Sequence, residues 1–336
     1  MNRLETLISG KRIEPFFGNA AADYTRAIEF QLSYWSKPFD EITDYKLFSR
    51  LVDEKLLGFI TTKTLTTEPR RGNPHPRFAW TRKFVEGIQS MGLPNVGMYE
   101  YPFEECGVST IISYVGKNIE ETKAMTKYLG EKAKKNSNMF AAEYNLACPN
   151  VPGCPSCYKE DSLEHLKIVR ENTSLPVFAK IGYFPEEEKL IMFGKKVEDI
   201  GINGITAINS PPGMGIDIET GSSVVKKYGG IFGRGLKPLA LRTVNILHEN
   251  TNLELIGLGG VYEYSDAIEF LMAGAKAIEI SSRFIKDLMD YKPQDTEDIV
   301  DSYWAPFLRG FKMNTEDFMD RKGFKSLTEI IDKIER

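Results

Sequence analysis

The chain has 336 residues, of which 42% are hydrophobic and 27% charged, with a formal net charge of −4. That composition suits a soluble globular protein with a sizeable core, and the acidic balance disfavours a general nucleic-acid binder, which would carry a basic field. No apolar run approaches the roughly 18 residues needed to span a bilayer, and the N-terminal MNRLETLISGKRIEPF lacks the apolar core of a secretory signal. Four cysteines in a chain of this size do not make a disulfide framework, so a reducing cytoplasm is the expected setting.

Short runs rich in β-branched and apolar residues recur along the chain, most of them followed by a helical pattern. The first run is 13–19 (IEPFFGN). A long stretch, 22–54, separates it from the second, 57–63 (LGFITTK); it carries two helical patterns, AIEFQLSYWS and DYKLFSRLVDEKL, and reads as a peripheral insertion. The third run is 109–115 (STIISYV). It is followed by NIEETKAMTKYLGEKAKK, in which Met125, Tyr128 and Leu129 share one helical face. The fourth, 140–146 (FAAEYNL), runs into NLACPNVPGCPSC. After the fifth, 176–182 (PVFAKIG), Pro185 is placed to open a helix that Gly201 closes. The sixth, 204–210 (GITAINS), precedes GGIFGRG, and Pro238 is placed at the start of the next helix. The seventh is 253–260 (LELIGLGG), with Ser265 as the expected N-cap and Gly274 as terminator of the helix that follows. The eighth is 277–282 (AIEISS).

Continuous apolar character suits strands covered on both faces, as in a parallel sheet. About eight β-then-α units in a chain of this length fit a single α/β domain, a (β/α)8 TIM barrel spanning 1–336, with an open doubly wound sheet as the alternative. In a barrel the active site gathers at the C-terminal strand ends. Those ends carry Asn19, Lys63, Asn145, Lys180, Asn209 with Ser210, Gly259 with Gly260, and Ser281 with Ser282. Lysines and amides there are not what core packing asks for. The glycines of 256–260 and 229–235 read as an anion cradle beside helix starts, and suggest a phosphorylated cofactor or substrate. None follows the Walker or dinucleotide spacing.

Cys148, Cys154 and Cys157 admit several readings. With Cys106 they could form a four-thiolate metal site, although the usual CxxC…CxxC pairing is missing. Cys154 and Cys157 could form a redox pair, or be incidental. Cys148 stands three residues past Asn145, at the expected barrel mouth, and is the candidate base or nucleophile.

NLACPNVPG closely resembles the loop of class 1 dihydroorotate dehydrogenases. The resemblance extends through TTKTLTTEPRRGNPHPR (61–77), SMGLPN (90–95), FAKIGYF, INS, GGIFGRGLKP, GLGG, ISS and the C-terminal FMDRKGFKSLTEIIDKI. Only about 22–54 lacks a counterpart. The resemblance implies a (β/α)8 barrel holding FMN at its mouth, which oxidises dihydroorotate to orotate in de novo pyrimidine biosynthesis. Cys148 matches the base that removes the C5 proton while hydride passes to flavin N5. Lys63 matches the lysine between flavin and substrate, and Lys180 the one at the flavin pyrimidine edge. Asn145, Asn150, Asn209 and Ser210 match substrate contacts, as do the segment Met91, Gly92 and Leu93 and the position of Gln89. Ala20, Ala21, Lys63, Thr64, Asn145, Lys180, Gly233, Gly259, Gly260, Ser281 and Ser282 match contacts to FMN.

There are departures from the family pattern. Gln89 stands where an asparagine that contacts substrate is usual, which opens a second reading: an FMN oxidoreductase for another dihydropyrimidine-like ring. Ala147 replaces a serine beside the base, Ala22 a glycine and Ser281 a phosphate-binding glycine. Outside the family, a lysine-dependent barrel aldolase and a structural metal protein remain alternatives. The implied partners are a small-molecule substrate and a soluble electron acceptor, with a homodimer expected and no nucleic-acid or membrane partner. The SMGLPN segment and the C-terminus lean towards the fumarate-using type rather than the type that passes electrons to NAD through a second subunit. No metal is expected.

Overall fold

The computed structural model describes residues 3–21, 44–82, 86–147, 154–159, 161–290 and 299–334. Eight parallel strands form one sheet: β1 Phe17–Asn19, β2 Ile60–Thr61, β3 Thr110–Tyr114, β4 Met139–Asn145, β5 Val177–Ile181, β6 Gly204–Ala207, β7 Glu254–Leu258 and β8 Ala277–Ile280. Their order is β1-β8-β7-β6-β5-β4-β3-β2, so each strand lies beside its neighbour in sequence. The ring closes between β1 and β2 through a parallel bridge from Gly18 to Phe59 and a 2.9 Å bond from Gly58 N–H to the Phe17 carbonyl. Gly18 is needed there, because a Cβ would lie 2.5 Å from the Phe59 carbonyl oxygen. The Asn19 side chain braces the seam, donating to the Thr61 carbonyl at 2.9 Å and accepting from Thr61 N–H at 3.2 Å. The (β/α)8 barrel is the fold, and each of the eight expected strands overlaps a barrel strand.

Helices α1 Asp44–Asp53, α2 Ile119–Lys135, α3 Asp161–Asn172, α4 Glu187–Asp199, α5 Lys237–Asn250, α6 Tyr264–Met272, α7 Ser282–Asp290 and α8 Ala305–Lys322 cover the outside. The larger core lies between them and the sheet. Met125 and Leu129 of α2 are fully buried in it, with Tyr128 half-buried beside them. Trp304, on a π-turn before α8, stacks on Phe48 of α1 with ring centroids 4.9 Å apart, which ties the insertion's second helix to the barrel wall. The first helical pattern of the insertion lies outside the described residues.

A second, smaller apolar cluster plugs the barrel interior, with Ile111, Ala141, Phe178, Ile256 and Ala277 from the strands and Phe59 just ahead of β2. A hairpin of Thr6–Ile8 and Lys11–Ile13 adds Ile8 and Ile13 to it. Ser9, at the hairpin turn, donates through N–H and Oγ to Glu254 at the start of β7, at 2.7 and 2.8 Å. The N-terminal end of the barrel is therefore stoppered by apolar side chains, and only the C-terminal end is free for chemistry. Over that end sits an antiparallel sheet of Pro212–Gly213, Gly229–Gly233, Glu86–Gln89 and Phe78–Arg82. It is held by Phe232 stacked on Phe78 at 4.4 Å and edge-on to Trp80 at 4.8 Å.

Three local expectations are corrected. α4 has its N-cap at Glu186 and starts at Glu187, two residues past Pro185, while Gly201 ends it with a positive φ as expected. The cap of α6 is Glu263, not Ser265, because Glu263 and Asp266 make a reciprocal capping box. Much of GGIFGRG is not a turn but the strand Gly229–Gly233; its glycines admit close backbone approach, since a Cβ on Gly229 would lie 2.4 Å from the Gln89 carbonyl oxygen.

Candidate active site at the barrel mouth

Strand pairing sets which polar side chains meet inside the barrel. Asn145 pairs in register with Lys180, and Glu143, two residues earlier on β4, shares their inward face. Lys180 Nζ lies 3.2 Å from Glu143 Oε1 and 3.5 Å from Oε2 of Glu279 on β8. All three are at most 2% exposed. Thr61 Oγ1 donates to the other oxygen of Glu279 at 2.7 Å, and Ser113 Oγ to Glu143 Oε1 at 2.8 Å. The path climbs from Ser113 Oγ to Thr64 Oγ1 at 3.0 Å, and from there to Asn145, whose Nδ2 donates to Thr64 at 3.0 Å.

At the mouth the amides lock one another. Asn145 Oδ1 accepts from Ala147 N–H at 3.0 Å and from Asn209 Nδ2 at 3.3 Å. Asn209 Nδ2 also donates to the Ala147 carbonyl at 2.7 Å, and its Oδ1 accepts from Ser210 N–H at 2.8 Å. Ser210 faces Gln89 across Gly230, where an added Cβ would lie 2.6 Å from Ser210 Cβ and 2.8 Å from Gln89 Nε2. Gln89 Oε1 is turned back to accept Met91 N–H at 3.1 Å. The Met91–Gly92–Leu93 backbone is bent by positive φ at Gly92 and Leu93, and Arg70 Nε holds the Gly92 carbonyl at 3.2 Å. Lys63 is half-buried just past β2.

Glycines form a second region. Gly233, Gly259 and Gly260 all have φ in the left-handed range, at 113°, 121° and 77°. A Cβ on Gly260 would stand 2.7 Å from Lys237 N and 3.0 Å from the Arg234 carbonyl oxygen, so these turns pack directly on the start of α5. Ser281 and Ser282 lead into α7, and Ala20 follows β1 with its N–H on the Ile280 carbonyl at 3.0 Å, Ala21 next to it.

Electrostatics single out the interior charges. Burial pushes the Glu279 carboxyl up to about 7; Lys180 pulls it down, and Glu143 pushes it further up. Burial alone would lower the Lys180 ammonium, but the two carboxylates together outweigh it and hold it above its ordinary range. Thr206 pairs in register with Lys180, and its Oγ1 is buried with no hydrogen-bond partner.

The structure thus brings together Thr64, Gln89, Asn145, Asn209 and Ser210, with Lys180 beneath them and the glycine turns to one side. Cys148 and Asn150 lie outside the described residues. The chain on either side of them is tied down. Ala147 bridges to Ser156, Cys157 N–H donates to the Leu146 carbonyl at 2.8 Å, and Tyr158 OH donates to the Tyr183 carbonyl at 2.8 Å. Cys154 and Cys157 are buried, and burial pushes the Cys157 thiol up to about 11, which leaves it protonated and unreactive at neutral pH. Cys106 is buried elsewhere, its carbonyl taken by Asn136 and Asn138, and burial pushes its thiol up to about 12. Among the described residues no three metal-type ligands gather. Sequence reasoning missed Glu143 and Glu279; the signal was present, as a lone carboxylate inside each of two otherwise apolar runs.

The donor set fits FMN. Left-handed glycines beside helix starts suit a phosphate, while Lys180 and the unpartnered Thr206 hydroxyl offer donors to a polar ring edge. A closed (β/α)8 barrel whose lysines, amides and glycine turns converge at the C-terminal mouth is that of a cofactor-dependent barrel enzyme. The family model described as dihydroorotate dehydrogenase matches residues 43–300. The catalytic subunit of dihydroorotate dehydrogenase B (NAD(+)) from Caldicellulosiruptor bescii is 33% identical over 298 residues, covering 85% of this chain and 90% of its own. The Bacillus mycoides protein of the same name is 32% identical over 243 residues, 70% of this chain and 77% of its own. A crystal structure of DHODH from Eimeria tenella in complex with ferulenol shares the fold, with a TM-score of 0.70 at 18% identity over 98% of this chain and 87% of that one. The chain belongs to the dihydroorotate dehydrogenase family, flavin-dependent oxidoreductases acting on a CH–CH group.

Proposed function

We propose that this protein oxidises dihydroorotate to orotate, using FMN and a soluble electron acceptor, as a cytoplasmic homodimer. The observation that carries the reading is the convergence of Asn145, Asn209 and Ser210 at the barrel mouth, on Ala147, the residue that precedes Cys148 in the chain. Amides suit a ring that offers alternating N–H and C=O edges. Lys63 supplies the positive charge for the substrate carboxylate, Asn150 joins the other amides, and Cys148 takes the proton from C5. Donors on the ring carbonyl make that C–H acidic enough for a thiolate to remove. Bound FMN supplies the acceptor for the hydride leaving C6. Lys180, Lys63, Thr64 and Asn145 would hold its ring, and Ala20, Ala21, Gly233, Gly259, Gly260, Ser281 and Ser282 its tail and phosphate.

The acceptor is read from the relatives. Both carry the NAD(+) name and are catalytic subunits, which favours electrons leaving through a partner subunit over the fumarate expected from the SMGLPN segment and the C-terminus.

A second reading, oxidation of a different dihydropyrimidine-like ring, is favoured by Gln89. Its oxygen is engaged by Met91 N–H, so only its Nε2 faces Ser210, and the longer side chain narrows that wall. Titrating the yellow holoprotein with orotate and with uracil separates the two. A shifted flavin band with orotate alone supports dihydroorotate, and a shift with uracil alone supports the second ring. Cys148→Ala should slow flavin reduction by about 10²–10⁴-fold while FMN stays bound; an unchanged rate removes Cys148 from the mechanism.

A further inference from the structure

Two carboxylates and one ammonium meet in a sealed part of the barrel, and their formal charges do not cancel. Glu143 comes from β4, Glu279 from β8, and Lys180 from β5 lies between them. The other strands add no charge at this level. β2, β3 and β6 bring the hydroxyls of Thr61, Ser113 and Thr206, β1 brings Gly18, and β7 brings Leu258. The charges acting on Glu279 are those of Lys180 and Glu143. Each carboxylate also receives a hydroxyl donor, so the pair is held in place on both sides of the lysine. One ammonium cannot neutralise two carboxylates, and the second negative charge favours the protonated form of Glu279.

We propose that Glu279 carries a proton beside Lys180, and that Glu143 and Glu279 act as positioning residues that keep the lysine charged within an electrically neutral floor beneath the flavin pocket. Loss of the proton leaves the floor with one net negative charge, and an anionic, phosphorylated flavin then binds less tightly. Only this consequence rests on the flavin reading; the proton itself is a property of the barrel. The linkage has a definite sign. Glu279 holds its proton more tightly when folded, from an ordinary value of 4.5 up to about 7, so its stabilisation is full below 4.5 and is lost as pH rises through about 7.

Infrared difference spectra of the holoprotein between about pH 6 and about pH 9 test the proton directly. The wild type should show a protonated-carboxyl band at the lower pH that vanishes at the higher one, and Glu279→Gln should lack it. No band in the wild type, or a band that persists in both Glu279→Gln and Glu143→Gln, overturns the proposal. Melting temperature against pH gives a second readout. The wild type should lose stability across the window from 4.5 to about 7, while Glu279→Gln is flat there or stabilised at the upper end. Equal slopes in the two proteins contradict it. FMN affinity should weaken several-fold across the same rise in pH in the wild type and not in Glu279→Gln; parallel curves contradict the coupling to flavin. A protein that takes up no FMN sinks the flavin reading, while the infrared band still decides the proton. Should Glu279→Gln fail to fold, Glu143→Gln carries the same three measurements.

Discussion

Gly260 shows how much a single residue carries at the mouth. Its φ of 77° is strained for any side chain, and a Cβ would press on the first backbone N–H of α5, 2.7 Å away. Gly260→Ala should cost about 1–3 kcal/mol and lower the flavin content of the purified protein. Melting temperature and the flavin-to-protein absorbance ratio are the checks; a fully yellow variant with an unchanged melting temperature would contradict the cradle. At this scale the strand-end residues were legible, because an amide or a lysine closing an apolar run has no packing reason to be there. Glu143 and Glu279 showed only as lone carboxylates inside apolar runs, and their meeting did not show. Their partner sits on another strand, and only the register of β4 against β5 and the closure of the ring bring all three together.

Among the elements, the turn between β7 and α6 depends on Asp266. Its Oδ2 accepts the N–H groups of Tyr262 and Glu263 at 2.8 and 2.9 Å, and its Oδ1 takes Lys237 Nζ at 2.7 Å. One buried carboxylate thus caps α6, shapes the turn that follows Gly260 and ties it to α5. Asp266→Ala removes a cap and a charge partner together, and should cost about 2 kcal/mol, against about 1 for Glu263→Ala. Thermal denaturation of the two variants checks the order; equal losses would show that Asp266 acts only as a cap. Sequence placed this cap at Ser265, a good cap by type, because the reciprocal pair of Glu263 and Asp266 reads as two ordinary surface acids. The sheet over the mouth was missed for a related reason. Gly229–Gly233 is glycine-rich to let Gln89 and Ser210 come close, and that composition reads as a turn.

For the whole molecule, the division between a stoppered N-terminal end and a polar C-terminal end explains why chemistry is confined to one face. The barrel was legible from its eight continuous apolar runs, since strands buried on both faces leave no alternation to misread. The hairpin that stoppers the barrel was missed just ahead of the first of those runs: Ile13, the run's first residue, closes the hairpin, and β1 starts only at Phe17. The stopper closes the end of the barrel below the floor where Lys180 sits between its two carboxylates, and above that floor Asn145 and Asn209 lock one another at the mouth. Anaerobic mixing of the yellow holoprotein with dihydroorotate tests the central claim most directly. Rapid bleaching of the oxidised flavin band is the expected result, and a well-folded, flavin-loaded protein whose band stays unchanged would contradict dihydroorotate oxidation.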